Sequence, residues 1–387
     1  MSYKYLLDIA LILLSTKLLG LLTRKFNLPQ VVGALLAGVI LGPSVLNILQ
    51  ETEFISRMAE LGVIILMFTA GLESDVRQLK SIGKESCIIA VFGVTLPLIG
   101  GTIVAYLFND GGLTTVNEVF QNIFIGAILT ATSVSITVEA LRELGKISEK
   151  SATVILGAAI IDDILGIMIL TIITSISDKS ISILIVFLKL IAFFIFTFIV
   201  GYIIYLFFNK WINKYEIDKR RFVIGAFVVC LLLSFCAEEF FGVADITGAF
   251  IAGLILSRNK ETEYIFKRFN IISYMLLSPI FFASIGINMN LPKMNLSMVV
   301  MTGALVIVAI ASKFFGCGLG AKLCGFSVKE VKQIGIGMIS RGEVALVIAN
   351  KGIKLGIMNS YFLPAIIIMI IICAIYTPIG LKRAYSS

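Results

Sequence analysis

Apolar residues run through this chain in blocks long enough to cross a membrane, separated by short polar connections. A membrane-spanning helix needs about 20 largely apolar residues. Thirteen segments fit, near 5–23, 28–48, 54–73, 86–108, 119–141, 151–176, 181–208, 222–240, 242–257, 271–288, 296–321, 333–350 and 360–380. The ninth is short, and the second, fifth and twelfth are rich in Gly, Thr or Ser. The connections leave no room for a soluble domain. The pattern therefore predicts one all-α polytopic membrane protein over residues 1–387 with thirteen transmembrane helices. The opening MSYKYLLDIALILLSTKLLG has no small-residue cleavage signature and reads as a retained first helix.

Composition agrees. Hydrophobic residues make up 58% of the chain and charged residues 14%, with a mean hydropathy of +1.02. Soluble domains carry roughly 45–50% apolar and about 25% charged residues, so too little polar material remains here to coat a core in water. The net charge of +8 is then a matter of loop topology, and no nucleic-acid partner is expected. Six cysteines lie in or beside apolar stretches without a CxxC pair, and histidine is absent, which argues against a zinc site. No cofactor is expected.

The basic residues divide unevenly between alternate loops. One set holds 22, including Arg24 and Lys25, the cluster from Lys210 to Arg221, and Lys382 and Arg383; the other holds 6. Lysine and arginine accumulate on the cytoplasmic side. The expected topology has the N-terminus outside and the C-terminus in the cytoplasm of the plasma membrane.

Two stretches repeat. Val31–Leu41 reads VVGALLAGVIL and Ile246–Leu256 reads ITGAFIAGLIL, with six of eleven positions identical at an offset of 215. The same offset sets Gly71 on Gly286, and an offset of 211 sets Gly126 on Gly337 and Gly145 on Gly356. These matches pair spans seven apart. Spans 1–6 and 8–13 would be two inverted six-helix repeats, with span 7 as a linker. Inverted repeats with broken helices characterise secondary transporters, whose sites lie near the midplane at the repeat interface.

Ionisable residues inside spans point to function because they are costly there. The sixth span carries Asp162 and Asp163 at its centre. Neighbours on a helix point about 100° apart, so one can face a buried cation and the other a water-filled cavity. Lys313 in the eleventh span is the candidate cation; the alternative is that it snorkels to the inner interface. At 1.5 Å per residue, Asp163 sits about 18 Å and Lys313 about 12 Å from the cytoplasmic helix ends, within reach of long side chains. The fifth span carries TATSVS, Thr130 to Ser135, at a similar depth. A local unwinding there would offer hydroxyls and free carbonyls to an alkali cation; serine and threonine also serve as interhelical glue. The twelfth span carries Arg341 and Glu343, which either neutralise each other or cap the second broken helix. Glu139 lies near the inner end of the fifth span and reads as interfacial.

These residues together resemble the monovalent cation–proton antiporters, specifically the NapA and KefC-type branch (cation:proton antiporter-2). The resemblance rests on LPQVVGALLAGVILGPS, the TATS segment, the paired aspartates, ADITGAFIAGLILS, Lys313 and SRGE. It implies a NhaA/NapA-like fold and a homodimer. Helices 1–3 and 8–10 (about 1–80 and 222–290) would form a dimerisation part. Helices 4–6 and 11–13 (about 84–177 and 296–383) would form a mobile ion-carrying core, and helix 7 (about 181–208) the linker. It implies Asp163 as the cation- and proton-binding carboxylate and Asp162 as the partner of Lys313. Thr132 and Ser133 would lie in the unwound crossover. The Asp–Asp pair is associated with electrogenic exchange. KefC-type systems have a Gln–Asp pair and a nucleotide-binding cytosolic domain, and neither is expected here. A looser similarity is to short spore-germination exchangers.

The expected function is Na⁺/H⁺ exchange by an elevator movement, with one site for which cation and proton compete. The nearest alternative is K⁺/H⁺ exchange, because both ions accept carboxylate and hydroxyl oxygen. A channel or sensor on the same fold has no need of a titrating lysine. An intramembrane aspartyl protease needs two carboxylates on different elements sharing a proton, whereas Asp162 and Asp163 are adjacent on one helix. An enzyme is not expected.

Overall fold

The structure, a computed structural model, describes residues 3–26, 28–109, 116–177, 183–214, 219–288 and 296–386. Its helices are α1 (Lys4–Lys25), α2 (Gln30–Leu41), α3 (Glu53–Glu73), α4 (Val76–Ser81), α5 (Gly83–Phe108), α6 (Val116–Thr130), α7 (Val134–Glu143), α8 (Lys150–Ser177) and α9 (Ile183–Lys214). They continue as α10 (Arg220–Cys236), α11 (Asp245–Leu256), α12 (Thr262–Ile272), α13 (Ser278–Ile287), α14 (Leu296–Leu323), α15 (Val328–Gly337), α16 (Glu343–Lys354) and α17 (Leu363–Ser386).

Each predicted segment contains helix, but length does not establish thirteen crossings. Ten spans among the described residues are long and apolar enough to cross a membrane. The helices α2 and α11 have only 12 residues each, about 18 Å of rise. The twelfth predicted span is split into α15 and α16. Apolarity persists through breaks and short helices alike, so the sequence pattern counts segments that helix length alone does not establish as full spans.

Local chemistry sets the ends. Thr52 accepts a hydrogen bond from the Ile55 amide to start α3, and Ser327 and Glu330 form a reciprocal capping box on α15. Both α7 and α16 stop just before a left-handed glycine, Gly145 (φ 68°) and Gly356 (φ 70°), a common helix exit. Among the described residues, two π-helical turns interrupt the helices, Ala237–Phe241 after α10 and Ser273–Leu277 between α12 and α13.

Helices α1–α3 pack with α10–α13, and α5–α8 pack with α14–α17; α9 lies against α8 and α11. The groups meet where α7 and α17 touch α2 and α3. The α6–α7 span is the most enclosed of the long spans among the described residues, with 83% of its apolar window buried, against 17% for α9, most of whose large apolar side chains are exposed.

Two backbone crossings hold the first group. A Cβ on Gly71 of α3 would overlap the Phe250 carbonyl of α11, and one on Gly253 of α11 would overlap the Phe68 carbonyl of α3. In the same manner Gly38 of α2 meets Ala283 of α13, and Gly286 of α13 meets the backbone of α2. Small residues permit this approach, and in lipid such close packing replaces the hydrophobic drive between helices.

A Gly253→Val substitution should therefore force α3 and α11 apart and cost about 1–3 kcal/mol or more. Thermal unfolding of the purified protein in detergent checks this; an unchanged midpoint would contradict the crossing.

Candidate functional site

The site begins where two helices fail to continue. Helix α6 ends at Thr130 and α7 starts at Val134; α15 ends at Gly337 and α16 starts at Glu343. Each break leaves backbone groups without helical partners, and lipid supplies none. Here the breaks cross and serve one another. The Ser133 amide donates to the Ser340 carbonyl (2.9 Å), and the Ser340 hydroxyl donates to the Ser133 carbonyl (2.7 Å). Thr137 Oγ1 donates to the Gly337 carbonyl (2.7 Å) and lies 2.8 Å from Ser340 Oγ. A Cβ on Gly342 would overlap the Ser133 side chain, so the glycine lets the two breaks come this close.

The carboxyl end of α6, where the helix dipole leaves partial negative charge, receives two cations. Lys313 Nζ donates to the Thr130 carbonyl (2.9 Å), and Arg341 Nη2 donates to the Leu129 carbonyl. Both side chains are fully buried. Lys313 Nζ also lies 2.7 Å from Asp162 Oδ1 on α8, forming a buried ion pair. Asp163, one residue on, is partly exposed. Ten buried side-chain polar atoms among the described residues lack a hydrogen-bond partner, and Asp162 Oδ2, Thr132 Oγ1 and Arg341 Nε are the ones carried by the residues of this site. Unsatisfied buried oxygens are uncommon and need an explanation.

Lys313 thus meets Asp162 and does not snorkel, while Thr132 and Ser133 lie in the break. Arg341 serves both breaks. It reaches across to the end of the first broken helix, α6, and its Nη1 also donates to the Ser340 carbonyl in the second break at 3.4 Å. The Glu343 side chain lies outside the described residues. Sequence reasoning missed Ser340 and Thr137, whose role depends on the crossing.

It also missed a second polar cluster. Arg142 on α7 holds Glu73 of α3 (Nη2 to Oε2, 3.0 Å), donates to Thr69 Oγ1 (2.9 Å) and lies 3.7 Å from Glu139. Both oxygens of Glu143 lie 2.7 Å from the Gln30 amide. Pro29 offers no side-chain cap to α2, so a carboxylate from α7 supplies one. The exposed appearance of the run around Glu139 in sequence hid these partners, and Glu139 is part of the cluster between the helix groups.

The profile described as "Sodium/hydrogen exchanger, transmembrane" matches residues 10–385. The chain belongs to that family. It is 35% identical to the Na(+)/H(+)-K(+) antiporter GerN of Bacillus cereus, over 100% of this chain and 98% of that one. It is 32% identical to the Na(+)/H(+) antiporter of Enterococcus hirae, over 97% of this chain and 96% of that one. Its fold is similar to that of the sodium proton antiporter MjNhaP1 from Methanocaldococcus jannaschii, with a TM-score of 0.75 at 18% identity, covering 100% of this chain and 97% of that one. These relatives are transporters, not enzymes, and the chain is a multi-pass membrane protein. The narrower assignment to the NapA and KefC-type branch gains no support from these matches; the family profile points to the cation:proton antiporter-1 type.

Removing Lys313 would leave Asp162 buried and unpaired, so Lys313→Met should cost about 3–5 kcal/mol. Lys313→Met combined with Asp162→Asn should recover much of that loss. Thermal unfolding of the three variants measures the coupling, and additive losses would contradict the pair.

Proposed function

We propose that this chain exchanges a monovalent cation, preferentially Na⁺, for protons at one competitive site made by Asp163, Asp162, Thr132 and Ser133. The observation that carries this reading is the pair of buried, unpartnered oxygens, Thr132 Oγ1 and Asp162 Oδ2, beside the crossed breaks. Hard oxygen donors of this kind suit an alkali cation, and irregular backbone is tolerated where it lines such a site. The two relatives described above are named as Na⁺/H⁺ antiporters, which favours the same exchange.

Competition follows from charge. Burial disfavours a charged carboxylate, and a bound cation favours it. With protons bound, Asp163 is neutral. Cation entry displaces the proton from Asp163 and a second one from Lys313, whose hold on Asp162 is then relaxed. Two protons for one cation moves net charge, so membrane voltage drives the cycle with about 2.3 kcal/mol per charge per 100 mV. This is the electrogenic reading that the Asp162–Asp163 pair of the NapA-type resemblance suggested.

Alternating access is by an elevator movement. Helices α5–α8 and α14–α17 form the moving core; α1–α3 and α10–α13 form the static, homodimerising part; α9 links them. The packing of the helices in these two groups supports this division. The chain crosses thirteen times as two inverted repeats, N-terminus outside and C-terminus cytoplasmic. The reciprocal glycine crossings support the repeat, since an offset of 215 converts Gly38 and Gly71 into Gly253 and Gly286. K⁺ as the transported ion is the second reading, favoured by the potassium in the printed name of GerN.

In liposomes with an internal pH dye, external Na⁺ should trigger proton efflux, and K⁺ or Li⁺ should do so less well. Asp163→Asn should abolish the response; full cation-coupled proton movement in that variant would overturn the site. Thr132→Val, which removes one ligand oxygen, should raise the cation KM about tenfold, in line with a lost hydrogen-bonding group at about 1.4 kcal/mol. An unchanged KM would remove Thr132 from the site.

A further inference from the structure

A cavity of about 710 Å³ lies away from the crossed breaks, between α1, α2, the carboxyl end of α7 and the π-turn joining α12 to α13. We infer that it is a binding site for the headgroup of an anionic phospholipid, held by Lys17. Lys17 lies within the apolar run of α1, is exposed, and donates to the Tyr274 hydroxyl at 2.8 Å, its ammonium also 5.2 Å from the Tyr274 ring centroid. Among the described residues no carboxylate pairs with it. The other charges on the cavity wall are committed elsewhere. Glu143 takes the Gln30 amide, and Arg142 and Glu139 face one another, with Arg142 also on Glu73. A lysine ammonium on a membrane helix with only a neutral phenol for a partner calls for an anion, and a phosphate diester is the anion a bilayer supplies.

The surroundings select a lipid over a soluble anion. Exposed apolar side chains flank the basic group on both helices, Leu14 and Leu18 on α1, Ile271 and Met275 across the mouth. They offer acyl chains a surface, and the largely apolar lining carries a few polar groups, Thr16, Gln30 and Ser273. Depth also fits. A Cβ on Gly20 would touch Gln30, the first residue of α2, so Lys17 sits three residues, about 4.5 Å, inside the start of that helix. Against the span limits read from the sequence, Lys17 lies six residues, about 9 Å, inside the nearer end of the first span, and a long cationic side chain snorkels much of that way toward the headgroups. The π-turn that contributes Ser273, Tyr274 and Met275 is the kind of helix distortion found most often at functional positions. The cavity touches α7 on one side and α1, α2 and α12 on the other, so a lipid seated there spans the seam between the two helix groups. Its leaflet, the inner one, rests on the orientation proposed above; the site itself does not.

The test is lipid retention by the purified full-length protein, delipidated and re-exposed to phosphatidylglycerol or phosphatidylcholine, read by native mass spectrometry. Wild type should keep phosphatidylglycerol in preference to phosphatidylcholine. Lys17→Gln should lower phosphatidylglycerol occupancy about fivefold, as expected for one lysine near anionic lipid, while Lys17→Arg should retain it. Equal occupancy in wild type and Lys17→Gln would overturn the site. Inorganic phosphate at millimolar concentration should not displace the lipid; displacement dependent on Lys17 would make this a small-anion site and overturn the lipid assignment. Because binding is read and not transport, failure here is distinguishable from failure of the exchange mechanism.

Discussion

Backbone polar groups cannot be left unpaired in a hydrocarbon layer, and this protein interrupts two helices inside the bundle. Everything near the site answers that constraint. The breaks at Ala131–Ser133 and Met338–Gly342 cross so that Ser133 and Ser340 exchange hydrogen bonds, while Thr137 takes up the Gly337 carbonyl. Two carbonyls at the end of α6 are satisfied by buried cations contributed by α14 and the second break, Lys313 and Arg341. Neither cation is tolerable alone in such a place. Lys313 is balanced by Asp162, and so the carboxylate pair of α8 is tied to the geometry of the crossing.

The proposed cation site draws on this economy of polar groups. Once the crossing and Lys313 have claimed their partners, Thr132 Oγ1 and Asp162 Oδ2 remain buried with none. Under the proposed exchange those oxygens, with Asp163, receive a cation in one half of the cycle and protons in the other. The cluster of Arg142, Glu73 and Glu143 ties α7 to α3 and α2, so movement of the core would have to break or carry along these contacts.

Much of this was legible in the sequence, for a physical reason. Charge inside an apolar span is expensive, so Asp162, Asp163 and Lys313 stand out without any structure, and hydroxyls clustered at matching depth mark the break at Thr132 and Ser133. The glycine motifs were visible as a repeat, although which glycine met which was not: Gly71 packs on Gly253 and Gly38 on Gly286. Partners that exist only through the crossing stayed hidden. Arg341 reads in sequence as the neighbour of Glu343, yet it serves Leu129 on another helix. Arg142 and Glu143 look like the polar end of a span, and their roles depend on α3 and α2 lying alongside. Helix length was the weakest inference, because an apolar run does not reveal where the backbone stops being helical.

Binding of radioactive Na⁺ to the purified protein as a function of pH tests the central claim, a single site shared by cation and protons. Each proton displaced should raise the apparent Kd about tenfold per unit fall in pH over the acidic limb. The two-proton account predicts a limiting slope above one and approaching two, together with loss of binding in Asp163→Asn. A Kd independent of pH would contradict competition at one site.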